Sequence, residues 1–346
     1  MSRSVRILVG AVAALAILAA AGIRWGLQTL DQPAALSREL IYQVPVHARF
    51  AQVAADLQTK GVVEHPRIWA LYARWRGQAA QIKAGEYAIT PGTTPRRLLQ
   101  QLIEGQVVLH SFTIVDGWQV RELLDALRHH SDIRATLPER VPDLMARLGL
   151  PAQHAEGQFL PETYKVPAGT TDVSLLLLAH AALVKELDAA WTTRDPNLPL
   201  RTPDELLTLA SIVEKETAQP AERAKIAGVY VQRLLIGMRL QADPTIIYGL
   251  GERYDGDIRT VDLRTDGPYN TYTRPGLPPT PIALAGAAAI RATAHPQVSG
   301  ALFFVASGRG DGSHVFSTNL KDHNEAVARY LQQLRRHDVA PPEQSP

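Results

Sequence analysis

An uncharged apolar run near the N-terminus constrains this chain most strongly, because it commits the segment to a membrane or a signal peptide. Residues 7–23 carry no charge, Arg3 and Arg6 precede them, and Arg24 follows them. As a helix, the run would be roughly 25 Å long at about 1.5 Å per residue. That length is at the short end for a membrane span.

Two interpretations of this run are open, an uncleaved anchor and a cleavable signal peptide. The small residues 19–22 offer a site for a signal peptidase. The run is longer than a typical signal-peptide core, which favours the anchor. The arginines ahead of it predict a cytoplasmic N-terminus and place everything after the run outside the cytoplasm. Either way, we expect the body of the protein to be exported.

Composition excludes several functional classes. The 346 residues suffice for about two domains with a sizeable core. The net charge is +2 and no basic block occurs, so nucleic acid is not an expected partner. The chain has no cysteine, which excludes disulfides, zinc–thiolate sites and thiol catalysis.

The pattern after the apolar run predicts a small module over residues 36–112. An extended segment at 42–46 leads into a helix that Gly61 ends, and residues 84–89 form a short strand. A last helix at 95–104 stops at Gly105. A sheet with helices in about 75 residues is a size typical of binding domains. Residues 113–339 are predicted to form a second, mostly helical domain with short strands, and residues 340–346 a disordered tail.

An apolar helix that carries two carboxylates is the strongest chemical signal. Thr202 is predicted as its N-cap and Pro203 as its first residue. Leu206, Leu209, Ala210 and Val213 form one predicted buried stripe, with Glu214 on one flank and Glu216 on the other. A carboxyl in a partly apolar site has a raised pKa, as a general acid requires. Two boundary carboxylates on an amphipathic helix are the alternative, and helical geometry alone does not choose between the two glutamates.

Other polar groups have simpler structural interpretations. Asp243 is predicted as the N-cap of a short helix, and the 308–312 segment as a hairpin turn between two strands. Ser211 lies within a helix without a nucleophile-elbow pattern, which argues against serine hydrolase chemistry. The histidines lack metal-ligand spacing, so no metal is expected. The loop at 269–272 carries amide and phenol groups suited to sugar hydroxyls.

Several motifs in order resemble one family. They are IVEKET at 212–217, RL at 233–234, LQADPTIIYG at 240–249, YNTY at 269–272, GLPP at 276–279, FV at 304–305 and HVF at 314–316. Together they closely resemble the endolytic murein transglycosylases of the YceG-like family, and the likeness covers nearly the whole chain. Two places depart from the family pattern: the LPETY segment at 160–164 carries Glu162 at its acidic position, and Leu284 and Ala285 replace a polar residue and a proline.

The resemblance implies an α+β fold with an N-terminal transmembrane helix, a small LysM-like subdomain and a larger, mostly helical catalytic domain. It implies an inner-membrane enzyme with its catalytic domain in the periplasm. Such an enzyme cleaves nascent peptidoglycan strands between N-acetylmuramic acid and N-acetylglucosamine without water, leaving 1,6-anhydromuramyl ends. It also implies no cofactor, and association with peptidoglycan synthases.

The resemblance further implies a single catalytic glutamate, which it assigns to Glu214. A single carboxyl suffices because the substrate supplies its own nucleophile, the muramyl 6-hydroxyl. Glu216 and Arg233 are expected to shape the charge around Glu214. The residues expected to bind substrate are Glu216, Arg233, Gln241, Asp243, Asn270 and Tyr272. A hydrolytic muramidase and a non-catalytic peptidoglycan-binding scaffold are the alternatives.

Overall fold

The computed structural model describes residues 3–138, 143–150 and 154–339. Two compact units divide the chain: Met1–His110 with Lys165–Gly169, and Ser111–Tyr164 with Thr170–Pro346. The architecture is mixed α+β and mostly helical with short strands, as predicted. The tail predicted at 340–346 lies outside the described residues. The domain boundaries proposed from the sequence stay predictions.

The first unit begins with a long apolar helix, α1 (Arg3–Thr29). Its Val5–Thr29 segment is long and apolar enough to cross a membrane. A signal sequence near an N-terminus meets the same criterion, so the choice between anchor and signal peptide stays a prediction.

The rest of the first unit is a two-stranded antiparallel sheet with three helices. Glycine at position 105 ends the last helix in the left-handed conformation, with φ at 74°, which confirms the predicted stop. Trp69 and Tyr87 are fully buried in its core, where the Phe50 ring packs edge-on to Trp69 at 4.6 Å between centroids. The elements are β1 (Leu40–Val44), α2 (Phe50–Thr59), α3 (Pro66–Trp75), β2 (Gly85–Ile89) and α4 (Pro95–Glu104), and β1 pairs with β2.

The second unit is built mainly from helices. The strands pair two by two: β3 with β5, β4 with β6 in parallel, and β7 with β8 in an antiparallel hairpin, as predicted for the 301–317 region. The elements from the strand that leads into this unit onward are β3 (Leu109–Thr113), α5 (Val120–His129), β4 (Ile133–Arg134), α6 (Leu144–Arg147), β5 (Thr163–Pro167), β6 (Thr170–Thr171), α7 (Asp172–Thr193), α8 (Pro203–Glu216), α9 (Arg223–Leu235), α10 (Asp243–Leu250), α11 (Thr260–Arg264), α12 (Ala287–Ala294), β7 (Phe303–Ala306), β8 (His314–Ser317) and α13 (Leu320–Val339).

Helix α8 lies at the centre of the second unit. It contacts α7, α9, α10 and α12, and every residue from 206 to 213 is buried. The four residues of the predicted stripe are buried as expected, but burial also extends to the other positions from 206 to 213, because neighbouring helices cover this part of α8 on all sides. Ser211 is among the buried residues: its hydroxyl donates to the Thr208 carbonyl at 2.7 Å and accepts from the Ile282 amide at 3.0 Å. Its role is structural.

Candidate functional site

The end of α8 places two carboxylates in different surroundings. The Thr202 side chain caps the helix by accepting from the Glu205 amide at 3.2 Å, which confirms the predicted cap. The helix ends at Glu216, fourteen residues after this cap. Two residues correspond to about 200° of rotation, so Glu214 and Glu216 point to nearly opposite sides.

Glu214 is held by backbone and side-chain contacts. One of its carboxylate oxygens accepts from the Gly286 amide at 3.0 Å, and the other lies 3.3 Å from the Arg223 guanidinium. Its side chain is only 4% exposed. Burial raises the pKa of Glu214, the Gly286 amide and Arg223 oppose that rise, and the nearby Asp116 carboxylate adds to it.

Glu216 lies on the wall of an open cleft. One of its carboxylate oxygens accepts a hydrogen bond from the Tyr230 hydroxyl. Burial raises the pKa of Glu216 to about 7, and the charge of Asp243 contributes, whereas the Tyr230 hydrogen bond and the Arg233 charge oppose the rise. A carboxyl with that pKa is protonated in a large fraction of molecules near neutral pH, which suits a general acid.

The cleft has a volume of about 390 Å³. One wall is polar, and the other carries two aromatic rings and a leucine from the C-terminal hairpin and α13. Such a combination fits a sugar, because hydroxyl groups need polar partners while the ring faces pack on apolar surface. The lining residues are Glu216, Tyr230, Arg233, Gln241, Asp243, Tyr272, Phe303, Phe304, Leu320, His323 and Asn324.

The loop before α10 shapes the polar wall. Gln241 has a φ of 49°, a left-handed conformation that is uncommon outside glycine. Its backbone amide donates to the Thr271 carbonyl at 3.2 Å. Asp243 is the first residue of α10, and Ala242 is the N-cap, so the predicted capping role of Asp243 is wrong. Its carboxylate instead accepts from the Tyr272 hydroxyl at 2.5 Å, across the wall of the cleft.

Asn270 does not line this cleft. Its amide group donates to the carbonyls of Asp262, Leu263 and Thr265 at 3.1, 3.3 and 2.6 Å. Its side-chain oxygen accepts from the Tyr272 amide at 2.9 Å. These bonds fold the loop that carries Tyr272, so Asn270 supports the site through its neighbour, and direct sugar contact by Asn270 stays a prediction.

The arginines are distributed differently from the prediction. Arg233 was expected to shape the charge around Glu214, but it lines the cleft with Glu216 and donates to the Leu240 and Leu302 carbonyls. Arg223, which the motifs did not single out, carries the charge beside Glu214. Of the six residues predicted to bind substrate, the structure brings together all except Asn270.

Six further lining residues were not predicted as site residues: Tyr230, Phe303, Phe304, Leu320, His323 and Asn324. The ring of His323 stacks on Phe303 at 5.1 Å, and its buried Nδ1 has no hydrogen-bond partner among the described residues. Burial and the Arg233 charge lower the pKa of His323, so its imidazole is neutral near pH 7. The family motif that includes Phe304 was the only signal pointing to this wall.

A raised pKa alone does not identify the reacting carboxyl. Burial also raises the pKa of Glu156 to about 7. Glu156, however, is only 6% exposed, and one of its carboxylate oxygens accepts a hydrogen bond from the Val120 backbone amide at 3.1 Å. Glu216 combines the raised pKa with a place on an open cleft, so it can exchange a proton with a bound molecule.

Comparison with known proteins identifies relatives over most of the chain. Residues 42–329 match the YceG-like family. The chain is 28% identical to the endolytic murein transglycosylase of Bacillus subtilis strain 168 over 309 residues, which is 83% of this chain and 84% of the relative. It is 28% identical over 323 residues to the endolytic murein transglycosylase of Streptococcus pneumoniae strain D39, a longer protein of which 58% is covered. The crystal structure of a YceG-like protein from Listeria monocytogenes superposes with a TM-score of 0.52 at 25% identity, covering 84% of this chain and 99% of that one.

Proposed function

Because the chain belongs to the YceG-like family, we propose that it is an endolytic murein transglycosylase, a lyase that cuts within glycan strands of peptidoglycan. The observation that carries this proposal is the cleft, where a carboxyl of pKa about 7 meets a polar wall and an aromatic wall. The bond cleaved is the one between N-acetylmuramic acid and N-acetylglucosamine.

Glu216 is the general acid and base of this proposal. Its protonated carboxyl donates to the glycosidic oxygen as the bond from that oxygen to C1 of the muramyl residue breaks. The carboxylate then accepts the proton of the muramyl 6-hydroxyl while that oxygen bonds to C1. The product end is a 1,6-anhydromuramyl sugar, no water is consumed, and the enzyme regains its proton. One carboxyl suffices because the nucleophile is part of the substrate.

Glu214 is the competing assignment, as the family resemblance predicted. Its contacts favour a supporting role, because both oxygens are engaged, one by Gly286 and one by Arg223. Among the described residues, the Glu216 side chain is hydrogen-bonded to Tyr230, and it lines the cleft. The geometry therefore supports Glu216 as the reacting group and Glu214 as a residue that fixes the start of α12.

The polar wall would hold the sugars and favour the transition state. Gln241 and Tyr272 offer an amide and a phenol to hydroxyl and N-acetyl groups. Asp243 adds negative charge near Glu216, which favours the oxocarbenium-like transition state electrostatically. Burial is the main cause of the raised pKa of Glu216, and Arg233 opposes the smaller contribution of the Asp243 charge.

The proposed location is the periplasmic side of the inner membrane, with α1 as a single-pass anchor. The segment Val5–Thr29 has the length and hydropathy for it. The first unit would act as a LysM-like glycan-binding subdomain, a role that its sheet and helices suit by size. Cutting nascent strands there would end their elongation, in association with peptidoglycan synthases.

The test is mass spectrometry of uncross-linked glycan strands digested by the full chain in detergent. We expect internal cuts with anhydromuramyl ends. Glu216→Gln should lower the rate by about 10²–10⁴-fold, the usual contribution of a general acid. Glu214→Gln is the matched control on the same helix and should retain most of the activity of the folded protein. The reverse pattern would make Glu214 the catalytic residue.

Two other outcomes would change the function assigned. Reducing ends instead of anhydro ends would identify a hydrolytic muramidase, in which water attacks C1. Strand binding without cleavage by the folded wild-type protein would identify a peptidoglycan-binding scaffold. Circular dichroism and thermal unfolding of each variant establish that a loss of activity is not a loss of fold.

A further inference from the structure

One face of α3 in the first unit exposes apolar and basic side chains together. Arg67, Leu71, Arg74 and Trp75 stand at i, i+4, i+7 and i+8, which places them on one side of the helix. Leu71 is 66% exposed and Trp75 is 76% exposed. The opposite side, with Trp69, is buried in the core of the unit. We call these four residues the α3 face.

This face begins beside the end of α1. The rings of Trp25 and His65 lie 5.2 Å apart between centroids, and His65 is the residue just before α3. A Cβ added at Gly26 would lie 3.6 Å from a methyl of Ile68, in the first turn of α3. Helix α3 therefore starts at the level where α1 ends.

The junction between α1 and the rest of the first unit is firmly packed. Leu30 is 2% exposed in the core, and its carbonyl accepts from the Arg96 amide at 3.1 Å. The Arg96 guanidinium also binds both oxygens of Asp31, at 2.8 and 3.1 Å. A membrane that holds α1 would consequently hold α3 near its surface.

The composition of the α3 face matches a lipid headgroup region. Tryptophan is enriched at membrane interfaces because its ring is apolar with one polar edge. Arginine stems pack along apolar surface while their guanidinium groups reach phosphate. Helix α3 contains no acidic residue, so its charge complements anionic lipids.

We propose that the α3 face binds the surface of the membrane in which α1 is anchored, with Leu71 and Trp75 in the headgroup region and Arg67 and Arg74 on anionic phosphates. This contact would hold the first unit on the bilayer instead of leaving it to pivot on α1. The inference rests on the proposed anchoring by α1, and it concerns the first unit alone.

The absence of cysteine allows a direct test with single labelled sites. The full chain carrying Leu71→Cys is spin-labelled and placed in nanodiscs of zwitterionic phospholipid with phosphatidylglycerol. Val46→Cys is the matched control, since Val46 is 72% exposed in the same unit but outside α3. We expect the label at 71 to be more accessible to oxygen than to a water-soluble nickel chelate, and the label at 46 to show the reverse. Equal, aqueous accessibility at both sites would overturn the proposal.

The charge contribution has its own control. Arg67→Gln with Arg74→Gln should shift the label at 71 toward the aqueous pattern, whereas Arg38→Gln with Lys60→Gln, in the same unit, should not. Equal effects of the two pairs would refute specific headgroup contact. Protection of the label at 71 by glycan strands in lipid-free detergent would make the face a glycan site and overturn the membrane assignment.

Failure of the anchor is distinguishable from failure of this contact. If alkaline carbonate released the chain from native membranes, the anchoring proposal would be wrong and this inference would fall with it. Retention in the membrane together with an aqueous label at 71 would overturn only the contact. Glycan cleavage in detergent is measured separately and does not depend on either result.

Discussion

The pKa of Glu216 should shift in opposite directions when its two neighbours are changed. The Tyr230 hydroxyl donates to the Glu216 carboxylate and lowers its pKa, whereas the charge of Asp243 raises it. Tyr230→Phe removes the hydrogen bond but keeps the ring that packs edge-on against Phe304 at 5.9 Å. Asp243→Asn removes the charge. We expect the pKa of Glu216 to rise in the first variant and to fall in the second.

The size of the first shift follows from the strength of the lost bond. A hydrogen bond to a charged group contributes about 1.5–3 kcal/mol. At about 1.4 kcal/mol per pKa unit, its loss raises the pKa of Glu216 by about 1–2 units from the value of about 7. A general acid is active while protonated, so kcat/KM of the wild type should fall above pH of about 7. In Tyr230→Phe that fall should begin about 1–2 pH units higher.

The assay is kcat/KM for release of anhydromuramyl ends from uncross-linked strands, measured across the pH range for each variant. Arg223→Gln and Asp116→Asn are the matched pair for the other glutamate, because Arg223 lowers and Asp116 raises the pKa of Glu214. A pH profile of kcat/KM that shifts in the Arg223 and Asp116 variants, but not in the Tyr230 and Asp243 variants, would refute the assignment of Glu216.

Three further predictions concern stability, each measured by chemical denaturation of the full chain in detergent. Asn270→Ala should destabilise by about 1–3 kcal/mol, because it removes the buried amide that donates to the partly buried carbonyl groups of its loop. Gly228→Ala should cost about 1–3 kcal/mol or more, since its Cβ would lie 2.1 Å from the Gln297 carbonyl oxygen, while Gly267→Ala, with no atom within 4 Å, should be neutral. Glu216→Gln should stabilise the protein by up to about 3 kcal/mol above pH of about 7 and should have no such effect below about 4.5. The reason is that the Glu216 carboxyl has a pKa of about 7 in the native state and about 4.5 in the unfolded state, so the wild type loses stability as the pH rises from 4.5 to 7. Unchanged stability in Gly228→Ala would contradict the close packing of Gly228 on Gln297. Loss of stability in Glu216→Gln at neutral pH would contradict the burial of an ionised Glu216.

Local signals predicted the helices well. The bounds 95–104 and the Thr202 cap depend on turns and caps within a few residues, which the sequence displays directly. The predicted cap at Asp243 was wrong because a distant partner overrides the local rule. Its carboxylate binds Tyr272, 29 residues later, and Ala242 takes the cap position.

The composition of the cleft could not be read from local patterns. Phe303, His323 and Asn324 reach it from the C-terminal hairpin and α13, about a hundred residues beyond α8. The two arginines illustrate the same limit. Arg223 and Arg233 lie on one helix, ten residues or about three turns apart, and only the packing of α9 decides which glutamate each one faces.

The contrast between Glu214 and Glu216 therefore arises from tertiary packing around one helix end. Helical geometry predicts that the two carboxylates point apart, but it does not predict which of them reacts. The Gly286 amide and Arg223 supply Glu214 with partners for both oxygens, which makes it a link between α8, α9 and the start of α12. Burial raises the pKa of Glu216 to about 7, and the hydrogen bond from Tyr230 only partly opposes that rise. A carboxyl kept in that condition destabilises the fold at neutral pH, whereas the apolar residues buried between 206 and 213 stabilise the packing of α8.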